Sequence, residues 1–199
     1  MLKKIVALLL FFPITVFGDG LSNLQAKLAR LYNLTANFTQ TVKNQDGSVL
    51  QRSTGKLAVD KPGKFRWQVD QPFPQLIIAN HQTVWIYDEG LAQVTIRSLG
   101  KSISQAPMLL LSSNNVDWSQ EFSVTQQGST FELLPKTPGE DFKSVKLVFD
   151  GNHISKMMFQ TNLGQQTSLV FNNVKLNPTL PASLFVFTPP KGVDVVDQR

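Results

Sequence analysis

The sequence predicts a mainly β fold with short α segments, built on a long antiparallel sheet that has to curl. Three observations carry this prediction. Apolar and polar residues alternate over many stretches, as in Lys64 to Asp70, where Phe65, Trp67 and Val69 share one face and Lys64, Arg66, Gln68 and Asp70 the other. Period two with one polar face marks an antiparallel strand that is wet on one side. The breaks between stretches carry turn residues, among them Asp46-Gly47, Pro62-Gly63, Gly128-Ser129, Asp150-Gly151-Asn152 and Gly164. Gly and Asn accept positive φ at little steric cost, so these breaks read as hairpins. Finally, only two segments have helical character, too little to cover a flat sheet of this size.

Taken in order, strands are expected near 34–43, 49–59, 64–70, 75–80, 83–88, 91–97, 119–126, 129–135, 142–150, 153–160 and 166–176, about eleven in all. Before them, Leu21, Leu24, Leu28 and Leu31 recur at helical spacing, and Ser22 with Gln25 forms a capping-box pair, giving a helix over 22–32. The second helix is expected within Ser102 to Ser113, with Ser104 as cap, Pro107 in the first turn and Met108 to Leu111 apolar. A short turn of helix is expected at Pro181 to Phe185. No repeat or linker divides the chain, and 199 residues suit one domain.

The first eighteen residues read as an address. Lys3 and Lys4 precede a short apolar run, Ile5 to Phe12, and Val16 and Gly18 are small enough to flank a cleavage point. The expected organisation is a signal peptide over 1–18 and a single domain over 19–199, in the periplasm. Losing Lys3 and Lys4 lowers the formal charge from +5 to +3, with no clustered stretch that calls for nucleic acid. The absence of cysteine excludes disulfides, thiolate metal sites and lipidation of this chain itself. With 14 Phe, 3 Trp and 2 Tyr, the chain can build a large core.

Periodicity leaves one question open. A curled sheet either fills its interior with side chains and binds nothing, or stays open with the helices covering an apolar concavity.

Several stretches resemble the periplasmic outer-membrane lipoprotein carrier family, LolA. They are Ala36-Asn-Phe-Thr-Gln40, Gly55-Lys-Leu-Ala-Val59, Lys61-Pro-Gly-Lys-Phe-Arg-Trp67, Val84-Trp-Ile-Tyr-Asp88, Gln93-Val-Thr95, Pro107-Met-Leu-Leu and Phe185-Val-Phe-Thr-Pro-Pro-Lys-Gly-Val193 with Asp197-Gln198. The matches are collinear and span nearly all of the chain after the leader. The related outer-membrane receptor, LolB, begins with a lipidated cysteine, which is missing here.

The resemblance implies an incomplete, strongly curved antiparallel barrel with a helical lid over an apolar cavity. It implies a monomeric chaperone that needs no cofactor and catalyses nothing. Its cargo would be lipoproteins released by an inner-membrane ABC transporter complex and passed to an outer-membrane receptor. A carrier of a small lipid or other apolar ligand is the alternative. Residues expected to line the cavity and lid are Leu24, Leu28, Leu31, Phe38, Leu57, Val59, Phe65, Trp67, Val69, Ile86, Met108, Leu109, Leu111, Leu133, Leu147 and Phe149. Phe65 is also the candidate partner contact, expected near the sheet edge just after the Pro62-Gly63 turn. Lys61 stands where the family usually has an Arg that holds the lid by hydrogen bonds, so it is either the latch or a solvated turn lysine.

Other chemistry finds no support. His81 and His153 lie in turn-like polar sequence without ligand spacing, and no nucleophile elbow or phosphate loop occurs. The Asp88-Glu89 pair sits on a turn, and Asn33-Leu-Thr35 and Asn37-Phe-Thr39 match the glycan acceptor pattern only by chance.

Overall fold

The computed structural model describes residues 20–99, 107–112, 116–137 and 142–199. The expected leader, and Ser102 and Ser104 of the second expected helix, lie outside the described residues.

All eleven expected strands are present: β1 (Asn33–Lys43), β2 (Val49–Asp60), β3 (Lys64–Gln71), β4 (Gln75–Asn80), β5 (Thr83–Asp88), β6 (Gln93–Ser98), β7 (Phe122–Gln127), β8 (Thr130–Pro135), β9 (Phe142–Asp150), β10 (His153–Thr161) and β11 (Gln166–Leu176). A twelfth, β12 (Asp194–Asp197), was not expected. Its sequence, Asp-Val-Val-Asp, is short and wholly exposed, so it carries no alternation to read. The single sheet runs β12-β6-β5-β4-β3-β2-β1-β11-β10-β9-β8-β7. Successive hairpins are antiparallel, β1 closes on β11, and β12 lies parallel to β6. The barrel stays open between β7 and the β6–β12 edge.

The cover comes from two places. Helix α1 (Gly20–Ala29) precedes β1, and a 3-10 segment (Pro107–Ser112) followed by a short helix α2 (Trp118–Glu121) lies in the connection between β6 and β7. The chain therefore spends the open seam of the barrel on the segments that cover it.

Several elements differ from expectation, among them α1, which ends at Ala29 rather than at 32, and β6, which begins at Gln93 rather than at 91. Helix α1 starts at Gly20, so Ser22 lies inside its first turn and is not the capping residue. Its first described turn packs on β7, where a β-carbon at Gly20 would sit 3.1 Å from the Gln126 backbone nitrogen. In the second cover segment, the described stretch is 3-10 rather than α, with all six residues buried. Four consecutive apolar residues, Met108 to Leu111, have no polar face for a surface helix to present. The expected strand over 119–126 begins at Phe122, because Asp117 caps α2 by accepting from the Ser119 and Gln120 amides, both at 3.1 Å. The expected turn near 181–185 is a 3-10 turn over Ala182–Phe185.

That last turn packs on the convex face of the sheet. Phe185 is 1% exposed there, beside β3 and β4, where Ile78 is also buried. The large core lies on the opposite, concave face.

Candidate functional site

The concave face is an aromatic and aliphatic floor. Phe38 and Trp67 stack with ring centroids 3.6 Å apart and planes 14° from parallel, and the Phe65 ring centroid lies 6.4 Å from that of Trp67. Gly55 makes the stack possible. It faces Phe38 across the β1–β2 pair, and a β-carbon there would come 2.6 Å from the Phe38 Cζ and closer still to the Gln68 carbonyl oxygen. A strand glycine at this point marks close approach of a neighbouring ring and backbone.

The cover lies on this floor. Leu24 and Leu28 of α1 and Met108, Leu109 and Leu111 of the 3-10 segment are buried in the same continuous cluster as Phe38, Leu57, Val59, Phe65, Trp67, Val69, Leu133, Leu147 and Phe149. Leu31 belongs to it too, although it lies beyond the end of α1. Ile86 is partly buried against the cluster's edge. The sequence reading omitted Phe131, Val145, Met157 and Leu169, each 0% exposed on β8 to β11. The alternation that identified their strands was the signal that also placed them inside.

Phe65 is fully covered, and β3 lies in the middle of the strand order rather than at an edge of the sheet. Hairpin turns place a residue at a strand end, which is distinct from the edge of a sheet. A partner could reach Phe65 only once the cover has moved.

Polar bonds fix where the cover sits. The Asn23 Nδ2 donates to Gln126 Oε1 on β7 at 2.8 Å. The Lys27 ammonium donates to the Gly151 carbonyl at 2.9 Å and lies 5.0 Å from the centre of the Phe149 ring. The third tether is the β2–β3 turn. Lys61 Nζ donates to the Leu28 carbonyl at 3.1 Å, at the C-terminal end of α1, where open carbonyls and the helix dipole favour a cation. Two residues on, the Gly63 amide donates to the Ser112 carbonyl at 2.9 Å, at the end of the 3-10 segment. One turn of three residues thus holds both cover elements. Gly63 has φ of +76°, a backbone that glycine adopts without strain. Burial lowers the Lys61 pKa below its ordinary value of about 10.5, a mark of the partly desolvated position it occupies.

Magnitudes separate the two kinds of contact. Each well-buried leucine contributes roughly 1.5–3 kcal/mol to the covered state. Each polar tether contributes about 1 kcal/mol net. Apolar contact therefore supplies the adhesion, and the tethers supply position. A pocket of about 440 Å³ lies at this junction, lined by Leu28, Leu31, Lys61 and Trp118 among others.

Among the described residues no group of three or more His, Asp or Glu side chains is placed to hold a metal. No described helix is long and apolar enough to cross a membrane.

Comparison with known proteins agrees with this architecture. Two solved structures share the fold: a LolA superfamily protein from Nitrosomonas europaea, with a TM-score of 0.50 and 11% identity over 85% of this chain and 98% of that one, and an uncharacterized conserved protein from Thermus thermophilus, with a TM-score of 0.52 and 14% identity over 88% of this chain and 99% of that one. In sequence, the chain is 40% identical over 201 aligned positions to the outer-membrane lipoprotein carrier protein of Legionella pneumophila, covering 98% of this chain and 99% of the relative. It is 36% identical to the protein of that name from Dechloromonas aromatica, covering 94% and 91%. The family model described as outer membrane lipoprotein carrier protein LolA matches residues 29–188. An open, curled sheet with a fastened apolar cover and this likeness over nearly its whole length place the chain in the LolA outer-membrane lipoprotein carrier family.

Proposed function

We propose that this chain is a periplasmic lipoprotein carrier whose concave face receives the cargo's acyl chains once α1 and the 107–112 segment lift away. One observation carries the reading most: the large apolar floor is covered by two segments that bond to the sheet through the same Lys61–Gly63 turn. A permanent core needs no such common fastening, whereas a cover that has to move and return gains from it. A lipid-modified protein cannot cross water with its chains exposed, since burying a sixteen-carbon chain is worth roughly 10 kcal/mol. An open greasy cleft would aggregate, and closing when empty avoids that. Closure also opposes loading, which keeps affinity low enough for delivery.

On this reading the cargo arrives from an inner-membrane ABC transporter complex and leaves to an outer-membrane receptor, with Phe65 exposed to partners only in the open form. Lys61 serves as the latch in place of the family's usual Arg. The chain works as a monomer and performs no catalysis.

The test is mass spectrometry of what the protein carries when released gently from the periplasm. Intact triacylated proteins support the reading. Free lipids alone would make it a carrier of small apolar ligands.

A further inference from the structure

The face of the sheet turned away from the cover holds a groove of about 520 Å³ on β1, β2 and β9 to β11. Its cations come from four strands: Lys43, Arg52, Lys146 and Lys156. The register assembles them. Arg52 faces Thr41, Thr41 faces Ser168, Ser168 faces Met158 and Met158 faces Lys146, in one row across five strands. Lys43 lies in the neighbouring row towards the hairpin tips, opposite Gln166, and Lys156 lies in the row on the other side, between Val148 and Val170. Three strand spacings and a two-residue offset put the Arg52 and Lys156 backbones about 16 Å apart, with Thr41 and Ser168 on the strands between them. Lys146 pairs with Glu132 at 3.2 Å, whereas among the described residues Lys43, Arg52 and Lys156 are in no ion pair.

A second feature lies at the same end of the sheet. The β10–β11 turn presents Leu163, 88% exposed, and the β1–β2 hairpin presents Val49 and Leu50, 46% and 54% exposed. The two tips touch, since a β-carbon at Gly164 would lie 3.1 Å from the Gln45 side chain. Apolar side chains on loop tips beside free cations suit the boundary between anionic headgroups and acyl chains. They do not suit a purely acidic protein surface, which would leave Leu163 wet.

We propose that this groove and its apolar tips dock the chain on an anionic phospholipid surface, with the phosphodiester headgroups among Lys43, Arg52 and Lys156. The geometry leaves the covered concave face and the Lys61 turn free, because they lie on the other face and at the other end of β2. The inference rests on the carrier reading only for its setting, since a shuttle between two membranes meets lipid at each end of its path.

The test is co-sedimentation of the mature chain, without cargo, with vesicles of phosphatidylcholine and of equimolar phosphatidylcholine and phosphatidylglycerol. Binding to the anionic vesicles alone, weakened by salt, is expected. Lys43→Gln, Arg52→Gln and Lys156→Gln together should weaken it roughly a hundredfold, at about 1 kcal/mol per cation near the surface. Lys43 and Arg52 are exposed and Lys156 is half-buried, and thermal melting checks that the variant folds. A charge-matched control, Lys56→Gln, Lys175→Gln and Lys191→Gln, should lose far less, and Leu163→Ser should weaken binding with charge unchanged. Equal losses in both triple variants would reduce the effect to net charge and overturn the site. Binding of inorganic phosphate or polyglutamate without vesicle binding would overturn the lipid assignment. Because no cargo is present, failure here leaves lipoprotein loading intact, and failed loading with vesicle binding retained would count against the carrier reading alone.

Discussion

The Lys61 ammonium donates to the main-chain carbonyl of Leu28 at 3.1 Å, joining the β2–β3 turn to the last turn of α1. Because the acceptor is a backbone atom, the bond requires no particular side chain on the helix. It requires only that α1 lie where it does. The bond therefore reports the position of the cover, and its loss should shift the cover before it harms the sheet.

Lys61→Ala should raise the binding of a fluorescent apolar probe severalfold, consistent with about 1 kcal/mol removed from the closed form. Far-ultraviolet circular dichroism should keep its β signature. Unchanged probe binding would leave Lys61 as an ordinary turn lysine.

The same lysine gives the closed form a pH dependence. Burial holds its pKa below about 10.5 when α1 is down, and exposure restores the ordinary value when α1 lifts. The open form therefore binds more protons across the window beneath 10.5, and closure strengthens as the pH rises through it. The neutral amine keeps a hydrogen to donate, so the Leu28 bond survives. Probe uptake by the wild type, relative to Lys61→Gln, should fall over that alkaline window. A flat difference would mean that Lys61 has the same surroundings in both forms.

Leu109, in the 3-10 segment of the cover, is 0% exposed. Leu109→Ala removes apolar contact worth about 2–5 kcal/mol from the docked segment. If the segment is a cover, probe binding should rise steeply while hydrogen exchange in β1, β2 and β3 stays slow. Cooperative loss of exchange protection throughout the sheet would make Leu109 part of a permanent core.

Gly55→Val should behave differently. Its side chain would enter the space of the Gln68 carbonyl and the Phe38 ring, so β2 has to leave its neighbours. The melting temperature should fall sharply, with a loss of about 1–3 kcal/mol or more, and probe binding should not gain a folded open state. A normal melting curve would contradict the tight stack of Phe38 on Trp67.

These residues also show how far the sequence could be read. Phe65, Trp67 and Val69 announce their strand and their face because alternation is a local property of the backbone. Gly55 falls inside an expected strand without a visible reason for a glycine, and only the register of β2 against β1 and β3 reveals the ring and carbonyl it admits. Gly63 and Ser112 bond through backbone atoms 49 positions apart, which no side-chain pattern encodes. Ser22 reads as a cap in sequence yet lies inside α1, whose first described turn packs on β7, a contact that no local pattern encodes. Phe65→Glu would bury a charge in the closed form, so its first effect falls on stability rather than on partner contact.

A cross-link between α1 and β7 decides whether the helix has to lift for loading. A β-carbon at Gly20 would lie 3.2 Å from the Gln126 β-carbon, close to the separation a disulfide spans. The chain has no cysteine of its own, so Gly20→Cys with Gln126→Cys gives one defined bond. The other end of α1 continues into β1, so the oxidised helix would be fixed to the sheet at both ends. Uptake of apolar probe and of lipoprotein should be blocked in the oxidised protein and restored by reduction. Equal loading of the oxidised and reduced forms would show that α1 is not a gate, and the account of a moving cover would be wrong.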